Sequence, residues 1–130
     1  MMKSSLSQIK QNFVRVYILN GLDFANKDVF GNSDPFIVVS CGKKSFSTKE
    51  NYLEDEPNPD FYKMFEFAMY FPGASPVVIE AYDYDMLFGD DLIGKTIIDL
   101  DDREYCPEWK KMQKKPIEQR ELYHPSTTKN

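Results

Sequence analysis

Apolar and polar residues alternate along much of the chain with a period of two, which is the repeat of a half-buried β-strand. The clearest case is 13–18, where Val14, Val16 and Ile18 alternate with bulkier or polar neighbours. Seven segments that show this alternation or a short apolar run are separated by turn residues, which predicts an antiparallel β-sandwich. The predicted strands are 13–18, 36–39, 44–49, 62–70, 77–82, 92–100 and 117–123.

The order of these strands predicts which connections share an end of the sandwich. Antiparallel neighbours alternate in direction, so the three long connections 20–34, 50–60 and 83–91 are expected at one end. The short turns at Gly42 and Gly73 are expected at the other end. A short helix over 108–114 is predicted at that second end, because Pro107 suits the first turn of a helix.

Length and charge narrow the class of protein. A chain of 130 residues has room for one domain, and an aromatic content of 15% favours strands. We expect this domain at 13–124, with 1–12 as a polar lead-in or edge strand and 125–130 as a polar tail. A net charge of −5 argues against nucleic-acid binding, because phosphate contacts require a basic surface. Membrane binding is not excluded, since local charge at the contact surface decides it.

Two cysteines without a preceding signal peptide favour a reducing, cytoplasmic location. No apolar run approaches the roughly 20 residues that a transmembrane helix requires. The sequence therefore predicts a cytoplasmic domain that can associate only peripherally with a membrane.

Aspartates are concentrated in two of the long connections that are expected at the same end. Their carboxylates would repel one another unless a cation compensates them. Calcium suits such a site better than magnesium, because it accepts six to eight oxygens in flexible geometry. Each aspartate alone is typical of a solvated loop, but together they predict a calcium site. The residues are Asp28 and Asp34 in the first connection, and Asp83, Asp85, Asp90 and Asp91 in the third.

Two other classes of site fit the sequence poorly. An EF-hand requires glycine at the sixth position of its loop, where this chain has Phe88, and its flanks are helices rather than strands. Paired carboxylates also occur in glycoside hydrolases. The aspartate-rich connections contain no histidine, credible nucleophile or phosphate-binding glycine loop, so we do not expect an enzyme.

Specific strings of residues resemble the C2 domain over about 13–123. They are the segments 28–36 (DVFGNSDPF), 58–59 (NP), 82–85 (YDYD) and 91–94 (DLIG). Within that family the chain is most similar to the calcium-type domains of ferlins. The segments that carry this similarity are 49–53 (KENYL), 90–96 (DDLIGKT), 98–100 (IDL), 116–120 (PIEQR) and 122–125 (LYHP).

The resemblance implies an eight-stranded Greek-key sandwich, one strand more than the pattern provides. Residues 4–11 or the polar C-terminal end could supply it. Asp60-Phe61 stands where many family members have tryptophan after Asn-Pro, which indicates a change in packing. Ferlin-like domains usually occur in tandem in one membrane-anchored chain, so this domain is expected to be one module of a larger protein.

The resemblance also implies a ligand set for calcium. Asp90 is additional to the family pattern and is expected outside the ligand set or solvated. Phe88 stands where some family members have a Ser or Thr that helps to bind a further ion, so we expect one or two calcium ions. The implied ligands are the carboxylates of Asp28, Asp34, Asp83, Asp85 and Asp91 and the backbone carbonyls of Lys27 and Tyr84.

Apolar residues stand between these ligands, and they either pack on one another or enter lipid. Burial of one Phe or Leu side chain stabilises by about 1.5–3 kcal/mol, so partial insertion together with bridging of lipid phosphate by calcium suffices for micromolar binding. Lys43, Lys44 and Lys49 either form a basic face for phosphoinositide head groups or are solvated. The candidate inserting residues are Val29 and Phe30 in the first connection, and Met86, Leu87 and Phe88 in the third.

The function that this predicts is calcium-dependent binding to anionic phospholipid membranes, as part of a ferlin-like protein of membrane trafficking or fusion. Further partners would be other domains of the same chain or proteins of the fusion machinery. Two alternatives remain open at this point. Calcium could serve only to stiffen the loops, or the domain could bind proteins independently of calcium.

Overall fold

The computed structural model describes residues 9–24 and 33–125, and within them the chain forms six strands and three short helical segments. The strands are β1 (Lys10–Asn20), β2 (Pro35–Cys41), β3 (Lys44–Ser47), β4 (Asp60–Phe71), β5 (Val77–Asp83) and β6 (Asp91–Ile98). The helices are α1 (Leu100–Glu104) and α2 (Pro107–Lys111), and a 3-10 turn covers Lys49–Asn51.

Every strand pair in the described residues is antiparallel, as the sequence predicted. β1 pairs with β4 in a two-stranded sheet, and the other sheet has the order β3-β2-β5-β6. The predicted all-β antiparallel class is therefore confirmed. The predicted count of eight strands is not, because the described residues contain six.

The core lies between the inward faces of the two sheets, where the period of two places apolar side chains. Val39 and Phe67 are almost completely buried there, and Val14, Val16 and Ile18 of β1 pack against the same cluster. Their neighbours Phe13 and Tyr17 are exposed, as the alternation predicted. The buried cluster comprises Phe24, Ile37, Val39, Cys41, Phe65, Phe67, Phe71, Val77, Ala81 and Leu100.

The predicted closing strand over 117–123 is wrong. Within the described part of this segment, only Tyr123 makes a β-bridge, with Lys95 of β6. The segment is attached instead through Arg120, which donates to Thr96 Oγ1 at 2.9 Å and to the Ile97 carbonyl at 3.1 Å. The Arg120 side chain thus occupies acceptors on β6. The segment runs beside this strand without a continuous ladder of backbone hydrogen bonds.

Helix α1 was not predicted, because its first residue was assigned to the sixth strand. The Asp99 carboxylate accepts from the Asp102 backbone N–H at 3.2 Å and caps the helix, so β6 ends at Ile98 instead of Leu100. Helix α2 begins at Pro107, one residue before the predicted start, and ends at Lys111, three residues before the predicted end.

Several other strand bounds also differ from the prediction. β1 begins at Lys10 and so includes residues 10–12 of the predicted lead-in, while residues 1–8 lie outside the described part. β4 extends over Asp60–Phe71, and β3 stops at Ser47. The predicted domain bounds remain a prediction.

The register places the long connections at one end of the sandwich. Pro35 pairs with Asp83, and Asp83 pairs with Asp91, so β2, β5 and β6 all meet the loops at that edge. The Gly21 N–H donates to the Pro59 carbonyl at 2.7 Å, which joins the first and second connections at the same end. The hairpin turn after Cys41 and both helices lie at the opposite end.

Candidate functional site

Asp34 and Asp83 join the first and third connections at the base of the loop end. The Asp83 carboxylate accepts from the Asp34 backbone N–H at 2.8 Å, and the Tyr84 N–H donates to the Asp34 carbonyl at 2.9 Å. Asp83 is buried, with 6% of its surface exposed. These contacts fix the ends of β2 and β5 beside each other.

The second connection is tied to the same point. The Asp34 carboxylate accepts from the Asp55 N–H at 2.7 Å, and the Glu56 N–H donates to the Ser33 carbonyl at 2.8 Å. Asp55 has φ +53°, a left-handed conformation that Asp and Asn tolerate in turns. Sequence reasoning did not assign a role to this connection, because its contacts are made by backbone amides and leave no pattern in residue types.

Asp85 organises the tip of the third connection. Its carboxylate accepts from the backbone N–H groups of Leu87 and Phe88, at 2.9 and 3.1 Å. Gly89 follows with φ +86°, which glycine adopts without strain. The result is a tight turn at the loop end, closed by hydrogen bonds to one carboxylate.

The tip is apolar and exposed. Met86, Leu87 and Phe88 expose 78%, 78% and 87% of their surfaces, respectively. Such exposure argues against the alternative that Met86, Leu87 and Phe88 pack on one another, while Val29 and Phe30 lie outside the described residues. Three consecutive exposed apolar side chains are typical of a contact surface for lipid or protein.

Asp90 is held by Lys49, the first residue of the 3-10 turn that follows β3. Lys49 Nζ lies 2.7 Å from Asp90 Oδ2, and the Asp85 N–H donates to Asp90 Oδ1 at 2.9 Å. Partial burial opposes ionisation of Asp90, but the hydrogen bonds from Lys49 and Asp85 outweigh it and lower its pKa. Lys43 and Lys44 lie in and after the hairpin turn at the opposite end, so the structure does not bring the three predicted lysines together.

Aromatic rings flank this ion pair. Tyr84 stacks on Tyr52 with a centroid distance of 4.1 Å, and Lys49 Nζ lies 5.7 Å from the Tyr84 ring centroid. Lys49 is also 5.9 Å from the ring of Phe36. No sequence signal predicted this cluster, because its members come from three separate segments.

Four of the predicted ligands lie at this end of the described chain: Asp34, Asp83, Asp85 and Asp91. Asp91 is exposed, and it pairs with Asp83 across β5 and β6. The other predicted residues of the first connection lie outside the described residues: Lys27, Asp28, Val29 and Phe30.

The donor chemistry fits calcium, because every predicted ligand atom is a carboxylate or carbonyl oxygen. Next to Asp34, the buried Ser33 hydroxyl has no hydrogen-bond partner among the described residues, which leaves another oxygen at the loop base. Within residues 9–24 and 33–125, no group of three or more His, Cys, Asp or Glu residues is arranged to hold a metal ion. The ligand assignments therefore remain predictions.

The family model of the C2 domain matches residues 12–119, and the chain belongs to that family. It is 40% identical over 92 residues to Fer-1-like protein 4 of Mus musculus, and 39% identical over 90 residues to myoferlin of Homo sapiens. These matches cover 71% and 69% of this chain but only 5% and 4% of the relatives, respectively. Both relatives are ferlins, which confirms the predicted similarity.

Solved structures share the fold. The calcium-bound pair of C2 domains of extended synaptotagmin 2 superposes with a TM-score of 0.64 at 24% sequence identity. The match covers 71% of this chain and 35% of that one. Within the part of the chain that the structure describes, no helix is long and apolar enough to cross a membrane.

Proposed function

We propose that this C2 domain binds anionic phospholipid membranes in a calcium-dependent manner. The observation that carries the proposal is the third connection, where the exposed tip Met86–Phe88 follows Asp85 and precedes Asp90 and Asp91. A cluster of acids and an apolar wedge on one loop make lipid contact depend on neutralisation of the acids.

The residues that would hold one or two calcium ions are the five aspartates of the predicted set, with the carbonyls of Lys27 and Tyr84. Bound calcium would supply positive charge at the loop end and coordinate lipid phosphate. The protein supplies a rigid base, because the Asp34–Asp83 hydrogen bond holds two ligand-bearing segments together. It also supplies a preformed tip through the hydrogen bonds of Asp85.

The tip can supply much of the free energy that reversible membrane binding requires. Complete burial of three such side chains gives about 4.5–9 kcal/mol, an upper bound because insertion is partial. Micromolar affinity corresponds to about 8 kcal/mol. Tip insertion alone thus falls short or barely suffices, and head-group contacts through calcium supply the remainder.

Similarity to ferlins supports an inference about where this module acts in a cell. The match spans about 5% of the length of Fer-1-like protein 4, so it corresponds to a small part of that longer relative. We infer a peripheral position on the cytoplasmic face of a membrane, within a membrane-anchored parent protein of trafficking or fusion. In this position the module could contact other domains of the parent protein and proteins of the fusion machinery.

Co-sedimentation with vesicles of phosphatidylserine and phosphatidylcholine tests the proposal. Wild-type protein should sediment with calcium and remain in the supernatant with EDTA. Leu87→Asp combined with Phe88→Asp should abolish sedimentation while calcium binding persists. The matched control is Ile117→Asp, because Ile117 is 82% exposed but lies in the C-terminal segment, away from the loops.

The second candidate is a protein-interaction domain that does not require calcium. It is favoured by one observation, the exposed apolar tip Met86–Phe88, which suits a protein contact as well as a lipid contact. Absence of any calcium-dependent sedimentation, together with absence of heat in a calcium titration, would support this candidate and contradict the proposed function.

A further inference from the structure

Lys49 places a positive charge directly against the third connection. Its Nζ lies 2.7 Å from Asp90 Oδ2, and the Asp90 side chain is only 16% exposed. The rings of Phe36 and Tyr84 lie 5.9 and 5.7 Å from the same ammonium group. A lysine held between a carboxylate and two aromatic faces is better fixed than an ordinary surface lysine.

A continuous series of hydrogen bonds leads from Lys49 to the apolar tip. Asp90 Oδ1 accepts from the Asp85 N–H at 2.9 Å, while Asp90 Oδ2 contacts Lys49. Asp85 in turn accepts from the N–H groups of Leu87 and Phe88. The carboxylates of Asp90 and Asp85 therefore hold the loop in a closed conformation through hydrogen bonds within it. Lys49 is the cation that holds the Asp90 carboxylate in place.

We propose that Lys49 is a positioning residue of the third connection, a built-in cation that holds the loop closed and keeps Asp90 out of the calcium ligand set. The positioning role concerns the calcium-free protein. The part concerning ligands rests on the proposed calcium-dependent function. Both parts follow from the two contacts of the Asp90 carboxylate, because Lys49 and the Asp85 amide already engage its two oxygens.

Removal of the Lys49 charge should lower the order of the loop but raise its affinity for calcium. The loop loses the partner of Asp90, so its internal hydrogen bonds open more often. At the same time Asp90 becomes available beside Asp91, and the loop end gains one uncompensated negative charge. Since a unit charge near a surface site changes cation affinity by roughly threefold to tenfold, calcium should bind more tightly.

The first experiment measures amide hydrogen exchange by NMR in EDTA, without calcium or lipid. Lys49→Met should increase exchange at the amides of Asp85, Leu87 and Phe88 by about threefold or more, and Lys49→Arg should retain wild-type protection. Lys43→Met is the matched control, because it removes the same charge from the hairpin turn at the opposite end. Equal exchange in wild type and Lys49→Met would overturn the positioning role.

The second experiment measures calcium binding by calorimetry. Lys49→Met should raise the affinity by roughly threefold to tenfold or add one ion. Asp90→Asn should lower it by at most a similar factor, because the charge of Lys49 is then uncompensated, and adding Asp90→Asn to Lys49→Met should remove the gain. A residue with only a structural role would lower the affinity in Lys49→Met. That result, an equal gain in Lys43→Met, or a gain that survives in the double variant would overturn the inference.

The two experiments separate failure of this inference from failure of the proposed function. If wild-type protein binds no calcium, the proposed function and the ligand part of the inference both fail. The exchange data still decide whether Lys49 positions the loop, because they are recorded without calcium.

Discussion

The carboxylate of Asp83 accepts a hydrogen bond from the backbone N–H of Asp34, 49 positions earlier in the chain, at 2.8 Å. This bond joins the first and third connections and uses an oxygen atom that asparagine also possesses. Substitutions at Asp83 can therefore separate the effect of its negative charge from the effect of its hydrogen bond. Asn retains the acceptor and removes the charge, whereas Ala removes both.

We expect Asp83→Asn and Asp34→Asn to weaken calcium binding by on the order of tenfold or more, because each removes a negative charge from the shared site. Without calcium, both variants should be as stable as wild type or slightly more stable, since repulsion between carboxylates is relieved. Asp83→Ala should lose stability in addition. Calorimetric titration gives the affinity, and thermal melting with and without calcium gives the stability.

The control for these substitutions is Asp102→Asn, which changes an exposed aspartate on α1 at the opposite end. It should leave calcium affinity unchanged. A loss of affinity in Asp102→Asn as large as in Asp83→Asn would show that net charge matters and that the ligand assignment is wrong.

The sequence was sufficient to predict the sandwich and the end of it at which the long connections lie. The alternation at Val14, Val16 and Ile18 reflects burial of one strand face, which is a local property of the sequence. Once strand order is known, antiparallel geometry decides that Pro35, Asp83 and Asp91 share an edge. For this reason the position of the acidic loops could be predicted without coordinates.

Contacts between distant segments could not be predicted in this way. Lys43, Lys44 and Lys49 were grouped as one candidate basic face, and the sequence did not predict that Lys49 pairs with Asp90 at the loop end. Similarly, residues 117–123 have the composition of a strand, but Arg120 binds β6 through its side chain. Both outcomes depend on which segments lie next to each other in three dimensions. The residue types alone carry little information about this.

Gly94 of β6 is expected to resist substitution, because a Cβ there would lie 2.8 Å from the Leu122 Cβ. Gly94→Ala should destabilise the domain by about 1–3 kcal/mol, as overpacking does elsewhere. The cost should be smaller in a Leu122→Gly background, where the opposing Cβ is absent. Urea unfolding of the four proteins in this cycle measures it, and a cost independent of Leu122 would contradict this account of the packing.

Acid should weaken attachment of the C-terminal segment. Hydrogen bonds and the charge of Arg103, opposed by partial burial, hold the pKa of Glu118 below its ordinary value of 4.5. A lowered folded-state pKa contributes stability above the unfolded value, and this contribution is lost as pH falls through the folded pKa. Glu118→Gln should therefore be less stable than wild type near neutral pH, by about 1 kcal/mol or less because the pair is partly exposed.

The difference between wild type and Glu118→Gln should shrink as the pH falls below 4.5. Chemical denaturation across this pH range measures it. A difference that stays constant with pH would indicate that Glu118 acts through packing, and not through its charge.

The apolar tip should enter the bilayer only when calcium and anionic lipid are both present. Phe88→Trp, in a Trp109→Phe background that removes the native tryptophan, places a fluorescent reporter at a position that is 87% exposed. Its emission should shift to the blue with calcium and lipid together and with neither alone, because the acidic loops repel an anionic surface until they are neutralised. Ile117→Trp in the same background should not shift.

Added salt should slow the capture of protein by vesicles more than it releases protein already bound, since screening weakens surface charges and leaves buried rings unaffected. If Phe88→Trp emission stays unchanged while the protein still sediments with vesicles, insertion is wrong, and the domain must dock through its head-group contacts or through Lys43 and Lys44.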